Sequence, residues 1–362
     1  MTPSSSRLSL STPSPAPSSV DDEELLGDEE MLQYIKRQQQ KKLAHGATQE
    51  ELDALLRFPE RLPPTLPQSP SGTFIIYVIL PATYSVKAVL KSSQRQHLSD
   101  YERQEILDYP SVYYIGTGSE KKLAHPERTT NNYGYDDDRG DYLIVDRDHL
   151  GYRYEVMDSL GKGSFGQVLS CRDHATGESV AIKIIRNKKR FHHQALIEIK
   201  ILDNLRQWVR ILIIFFNHNH TNLGFQDPEE KHHVIKMTEH FYFRNHLCIA
   251  MELLSINLYE LIKANGFVGF TTALIRRFTS QMLLSLTLMR HHRIVHCDLK
   301  PEVIENCIIV RWVLTLLQNV LLRHPTKSAI KVIDFGSSCF EHEKSEATES
   351  TDALNASYND NS

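Results

Sequence analysis

A carboxylate, a cation and an amide are gathered in HCDLKPE, residues 296–302, followed after sixteen intervening residues, 303–318, by Asn319. In-line transfer of a phosphoryl group needs those three functions side by side: a carboxylate beside the accepting hydroxyl, a cation near the migrating group, and an amide oxygen on a magnesium ion. Asp298, Lys300 and Asn319 fit the three roles. The other half of such a site lies upstream. In LGKGSFGQV, residues 160–168, Gly161, Gly163 and Gly166 let a hairpin's backbone close over phosphates without side-chain obstruction. VAIK then places Ala181 and Lys183 at strand spacing, and Glu198, fifteen residues beyond Lys183, supplies a counter-ion. Asp334, Phe335 and Gly336 follow the apolar run 330–333 and bring a second carboxylate to the metal. A GxGxxG pattern alone is weak evidence, but five such elements in this order leave little room for coincidence.

These residues need elements to hold them. From Tyr154 the chain alternates in short strands, as a small β-rich lobe requires, and from Asn257 it turns helical, with 271–291 reading as one long amphipathic helix. Upstream, residues 1–20 are rich in Ser, Pro and Thr and too poor in large apolar side chains to bury a core, so the expectation there is disorder. Residues 21–56 are acidic and then basic, with leucines at helical spacing; one or two short helices are predicted, ended by the prolines of 59–70. The basic run 36–42 reads as a solvated helix face. After Lys344 the sequence SEATESTDALNASYNDNS is polar and acidic, and is predicted to be disordered.

Two segments interrupt otherwise continuous patterns. Removing 303–318 joins Glu302 to Asn319 and restores HCDLKPENVLL; removing 209–226 joins LDNLRQW to DPEEKHHVIKM as a helix-to-strand connection. Both segments begin with valine and end with glutamine. Valine codons begin GT and one glutamine codon is CAG, so each is compatible with a retained in-frame intron, and GTFIIYVIL at 72–80 reads as a third of less certain limits. The first interruption falls in a surface connection, where extra residues are tolerated. The second falls inside the catalytic loop. Lengthening that loop about fourfold costs only about 1 kcal/mol in closure entropy. Displacing Asn319 by even about 1 Å would instead cost on the order of 100-fold in rate.

Composition bounds the class of protein. The 362 residues, 24% charged and 41% apolar, suit a globular chain of one large or two ordinary domains, and a net charge of −4 argues against a dominant nucleic-acid surface. Five cysteines, Cys171, Cys248, Cys297, Cys307 and Cys339, show no CxxC spacing, which fits reduced thiols in the cytoplasm or nucleus rather than disulfides or zinc. No secretory signal opens the chain, and its most apolar runs, 211–216 and 307–317, are too short to span a membrane. Among eighteen histidines none outside His296 has ligand spacing; His192 and His193, His232 and His233, and His291 and His292 read as solvent-facing pairs.

Beyond the phosphoryl-transfer pattern, the chain resembles the dual-specificity tyrosine-phosphorylation-regulated kinase (DYRK) family, in the branch with fungal polarity-type relatives. Cys297 stands where generic kinases place arginine, and HCDLKPE, DFGSSCFEHEK (334–344), NLYELIK (257–263) and FRNHLCIAMELL (243–254) are hallmarks of that group. LSDYERQEILDYPSVYYIG (98–116) and GYDDDRGDYLIV (134–145) resemble the DYRK homology box and the segment after it. The resemblance implies an α+β, protein-kinase-like bilobal fold: residues 1–80 a largely disordered region with short helices at 21–56, 81–150 a brace for the small lobe, 154–344 the kinase domain with a complete β-rich N-lobe and an α-helical C-lobe that stops after DFG, and 345–362 a disordered tail. The family's activation segment, with its autophosphorylated tyrosines, does not follow Lys344, and Tyr358 lacks the flanking pattern to replace it. Without the family's later helices, the helix at 271–291 is expected to leave an apolar face uncovered.

The same resemblance implies ATP and Mg2+ as cofactors and protein substrates, while charge and hydropathy predict no specific nucleic-acid binding and no membrane span; the oligomeric state is left open. ATP would be held by Leu160, Gly161, Gly163, Ser164, Gly166, Val168, Ala181, Lys183 with Glu198, and by Glu252 and Leu254 of a hinge behind Met251. Asp298 would be the base, Lys300 would steady the transferring phosphate, and Asn319 and Asp334 would hold the metal, while His296 would be structural. Two readings result: a protein serine/threonine kinase with tyrosine autophosphorylation, or a catalytically inactive, mis-spliced or truncated chain retaining at most nucleotide binding. Transcripts sequenced across both joins should include molecules linking Trp208 directly to Asp227 and Glu302 directly to Asn319. Recovering only the inserted forms would remove the intron account.

Overall fold

The computed structural model describes residues 20–46, 48, 50, 58, 85–124, 130–217, 232–264, 267, 269–299 and 317–341. The disorder expected at 1–20 (apart from Val20, which opens a helix) and at 345–362, the prolines of 59–70, the segment 72–80, residues 218–226, most of 303–318, and Lys300 and Cys307 lie outside these residues.

An antiparallel six-stranded sheet in the order β1-β2-β3-β4-β6-β5 positions the glycine-rich hairpin and Lys183. Its strands are β1 (His149–Leu150), β2 (Tyr154–Lys162), β3 (Gly166–Asp173), β4 (Ser179–Ile185), β5 (Met237–Phe243) and β6 (His246–Glu252). Register sorts the side chains into two layers. Val168 pairs with Lys183, Lys183 with Ile249 and Ala181 with Met251, so these share one face. Leu169, Ile182 and Ala250 are likewise in register and occupy the other. Both faces are covered. Helix α4 (Lys189–Asn217) lays Phe191, Ala195, Ile199 and Leu202, one helical stripe, into the core that contains Ile249 and Met251. On the opposite face Leu169, Ile182 and Ala250 pack with Tyr135, Tyr142, Leu150 and Tyr154.

That outer layer belongs to the segment preceding the sheet, which includes α2 (Val86–Lys91) and α3 (Asp100–Glu105). α3 opens with a capping box: the Ser99 side chain accepts from the Glu102 N–H, and the Glu102 carboxylate accepts from the Ser99 N–H. Glu102 then turns inward. Its Oε1 accepts from Arg244 Nη2 at 3.0 Å and from Lys121 Nζ at 2.9 Å, while Arg244 also donates to Glu105 and to the Tyr142 hydroxyl. Arg244 sits in the β5–β6 turn at positive φ, so the outer layer is fastened to the sheet by one buried guanidinium. Glu102, Asp148 and His149 gather closely enough to suggest a metal site. The Lys121 ammonium, 2.9 Å from both Glu102 and Asp148, already supplies the positive charge there.

The helical part consists of α5 (Leu258–Ala264), α6 (Thr272–His291), and the short hairpin β8 (Val320–Leu322) and β9 (Ile330–Val332); β7 (Ile294–Val295) pairs with β10 (Cys339–Phe340). The long helix predicted at 271–291 is α6, with Thr271 as its N-cap accepting from the Leu274 N–H. Leu274, Phe278, Leu288 and Met289 are buried, but Ile275, Leu283, Leu284 and Leu286 on the same helix are 40–57% exposed, the uncovered apolar face expected from the sequence. Within 21–56, where one or two short helices are predicted, the structure describes α1 (Val20–Ala44), whose Met31, Tyr34 and Ile35 are buried with residues of α5, α6 and the hairpin, and a helical residue at Glu50. α4 runs past position 209 to Asn217.

Arg244 and Glu102 side chains are each 2% exposed. Removing one partner strands the other charge, so Arg244→Ala should lower the unfolding free energy by about 3–5 kcal/mol in urea titrations.

Candidate active site

Lys183 projects from β4 on the same face as Val168 and Ala181, between the sheet and α4. Its ammonium donates to both carboxylate oxygens of Glu198 at 2.9 Å and to Asp334 Oδ1 at 3.1 Å. Burial disfavours the ammonium, yet the charges of Glu198 and Asp334 outweigh it and hold the Lys183 pKa above its usual value. Burial pushes the Glu198 carboxyl up, against the pull of Lys183. At Asp334 burial acts the same way, but the Lys183 charge and the hydrogen bonds from Lys183 and the Gly336 N–H prevail and keep it below the usual carboxylate range. Asp334 is therefore an anion with its side chain 38% exposed to the cleft.

Backbone conformation aims the two acidic groups. Asp334 adopts φ +60, and its own Oδ1 accepts from the Gly336 N–H, an arrangement open to aspartate at modest cost. Cys297, just before Asp298, is also left-handed, at φ +64. Between them His296 is structural in geometry: its Nε2–H donates to the Ile333 carbonyl at 2.9 Å, its ring packs on Phe335 at 4.9 Å, and burial lowers its pKa. The Cys297 and Cys339 thiols are in contact at 3.8 Å with no disulfide between them.

Asn319 lies beside Asp298 despite the residues between them. Its Nδ2 donates to Asp298 Oδ2 at 3.0 Å and to the Asp298 carbonyl at 3.2 Å, which turns Oδ1 to the opposite side. Its carbonyl accepts from the Ile333 N–H at 2.9 Å, setting Asn319 against the residue that precedes Asp334. On its C-terminal side Asn319 continues directly into the β8–β9 hairpin.

The hairpin β2–β3 carries the glycines. Gly163 N–H donates to the Gly166 carbonyl at 2.8 Å, closing the turn; Leu160, Gly161, Gly163 and Ser164 are exposed on it, while Val168 is half-buried and Ala181 buried beneath. Gly166 has φ +152, and a Cβ there would stand 2.0 Å from the Ile184 carbonyl oxygen, so only glycine fits. At the hinge, Leu254 is buried and Glu252 half-buried. The Glu252 side chain is turned away from the cleft to Lys331 at 2.6 Å and the Lys236 N–H at 2.8 Å, leaving only backbone for recognition. Phe165 was not singled out in the sequence, yet its ring lies 5.9 Å from the Lys183 ammonium and packs edge-on against Phe191. An aromatic at the tip of the glycine-rich turn was the available signal.

The glycine hairpin, the Lys–Glu–Asp cluster and the Asp–Asn pair stand together between the sheet and the helical part, and the comparisons give the family that carries such a set. The protein kinase domain family matches residues 154–355, more than half of the chain. The chain belongs to the protein kinase family. Within it the relatives are of the DYRK type. The chain is 49% identical over 247 residues to DYRK-family kinase pom1 of Schizosaccharomyces pombe (strain 972 / ATCC 24843), covering 68% of this chain and 20% of that protein. It is 44% identical over 262 residues to dual specificity tyrosine-phosphorylation-regulated kinase 4 of Homo sapiens (72% and 44%), and 46% identical over 253 residues to kinase 3 of that series in Rattus norvegicus (69% and 37%). The chain thus spans less than half the length of these relatives.

Lys183→Met leaves Glu198, 3% exposed, without its counter-charge. The variant should be less stable by about 3–5 kcal/mol near neutral pH. Because the folded-state pKa of Glu198 then rises further above its unfolded value, the folded state takes up a proton as pH falls, and the deficit should shrink toward about pH 5 in urea unfolding curves.

Proposed function

We propose that this chain encodes an ATP-dependent protein serine/threonine kinase with tyrosine autophosphorylation, transferring the γ-phosphoryl group to protein hydroxyls. The observation that carries this reading is the joint placement of Lys183 on Glu198 and Asp334, and of Asn319 on Asp298. Lys183, fixed by Glu198, meets the α and β phosphates. The glycines of the β2–β3 hairpin cover them with backbone N–H groups. Val168, Ala181 and Leu254 offer apolar surface to the base, and the backbone of Glu252 and Leu254 faces its edge.

The donor set suits magnesium: Asp334 is an exposed, ionised carboxylate and Asn319 presents an amide oxygen turned away from Asp298, both hard oxygen ligands. When bound, the ion neutralises charge on the phosphates. Asp298 accepts the proton of the attacking hydroxyl, and its orientation is set by the Asn319 amide. Lys300 comes two residues later in the sequence and is assigned to the migrating phosphoryl group. Protein substrates and a cytoplasmic or nuclear setting belong to the same proposal.

The competing reading, nucleotide binding without transfer, rests on residues 303–318 standing inside the catalytic loop. Radiolabelled ATP separates the two. Incubation of the chain with Mg2+ and a generic protein substrate should give phosphate incorporation that Asp298→Asn lowers by about 10²–10⁴-fold, with nucleotide affinity retained. Nucleotide binding without any incorporation by the wild type would select the competing reading.

A further inference from the structure

Among the described residues, helix α1 packs against elements more than 200 residues away in sequence. Its buried side, Gly27, Met31, Tyr34, Ile35 and Gln38, forms a single stripe. The opposite side is solvated, with Leu25 70% and Leu26 54% exposed and Lys36, Arg37 and Lys41 in water. The stripe fills a groove whose floor is Leu261 of α5, Phe278 of α6, and Val320 and Ile330 of the β8–β9 hairpin.

The recognition is more specific than apolar burial. Asp28 Oδ1 accepts from both the N–H and the Oγ of Ser328, at 2.8 and 2.9 Å, across 300 residues of sequence. Ser328 Oγ accepts in turn from Arg277 Nε at 2.6 Å, and the Ser328 carbonyl accepts from Gln281 Nε2 at 3.0 Å. Directly beside this set, Gly27 approaches so closely that a Cβ would stand 2.4 Å from Arg277 and 2.7 Å from Ser328 Oγ. Glycine is a poor choice inside a helix unless contact demands it. Here contact does. The groove thus reads a glycine, an adjacent carboxylate, and a Met-x-x-Tyr-Ile set one turn further on, the pattern of a helix-in-groove complex.

We propose that the cleft between α5, α6 and the β8–β9 hairpin is a helix-docking site, with α1 of the same chain as its resident, releasable ligand. Occupancy bears on the hairpin, whose ends carry Asn319 and lead to Asp334. The inference does not depend on kinase activity.

A protease recognition sequence introduced within 59–70 of the full chain allows α1 to be severed after folding. The severed N-terminal piece should co-elute with the remainder in gel filtration, at the size of one chain, and excess synthetic peptide of residues 20–44 should exchange with it. Gly27→Ala favours helix intrinsically, yet should release the piece on cleavage and speed amide exchange in 320–322 and 330–332; a helix needed only for its own stability would be held more firmly. Asp28→Ala, a milder change, should speed dissociation of the severed piece about tenfold. Immediate loss of the wild-type piece, retention unaffected by both variants, or co-elution only as a two-chain assembly would each overturn cis docking.

Discussion

One ammonium group in a nearly water-free setting ties the molecule together. Lys183 belongs to the sheet, Glu198 to α4, and Asp334 to the segment after β9, 151 residues away, and their charges meet within 3.1 Å. Lys183 and Glu198, both buried, are tolerated only as a pair, because desolvation costs each of them several kcal/mol, while Asp334 keeps one side to the cleft. The consequence is geometric: α4 cannot swing away from the sheet, nor the Asp334 turn from α4, without leaving a bare charge. The site's order is therefore a condition of its burial, in place before any phosphate arrives.

The parts of this arrangement with local signals were legible. Strand-like VAIK, a helix bearing Glu198, and the Thr271 cap of α6 are written in short stretches whose periodicity or capping chemistry needs no distant partner. Other parts depend on partners hundreds of residues off. The stripe of α1 faces Ser328, and nothing near Asp28 in sequence reveals that. Glu252 is similar: its position beside the hinge was readable, but its engagement with Lys331 is a product of the fold. Arg244, in the motif FRNHLCIAMELL, is the fastening between the outer layer and the sheet, because Glu102 and Glu105 come to it from the far side.

The catalytic loop shows the same division between local and distant control. The HCDLKPE pattern marked Asp298 and Asn319 by motif alone, while their neighbours come from afar: Val320 and Leu322 are buried in the β8–β9 pair, Ile330 N–H donates to Gln281 of α6, and the Asn319 carbonyl accepts from the Ile333 N–H.

The central strands of the sheet are packed on both faces. Leu169, Ile182, Cys248 and Ala250 look outward into aromatic side chains supplied from Tyr135 to Tyr154, and α4 seals the reverse. The boundary of the matched kinase family, at residue 154, thus runs through the middle of a core. A polypeptide cut there for expression would expose a continuous oily patch on the sheet's back and leave Arg244 facing no acid. The acids that meet Arg244 come from α3, whose N-cap Ser99 lies 55 residues upstream of that boundary, with α2 further upstream still.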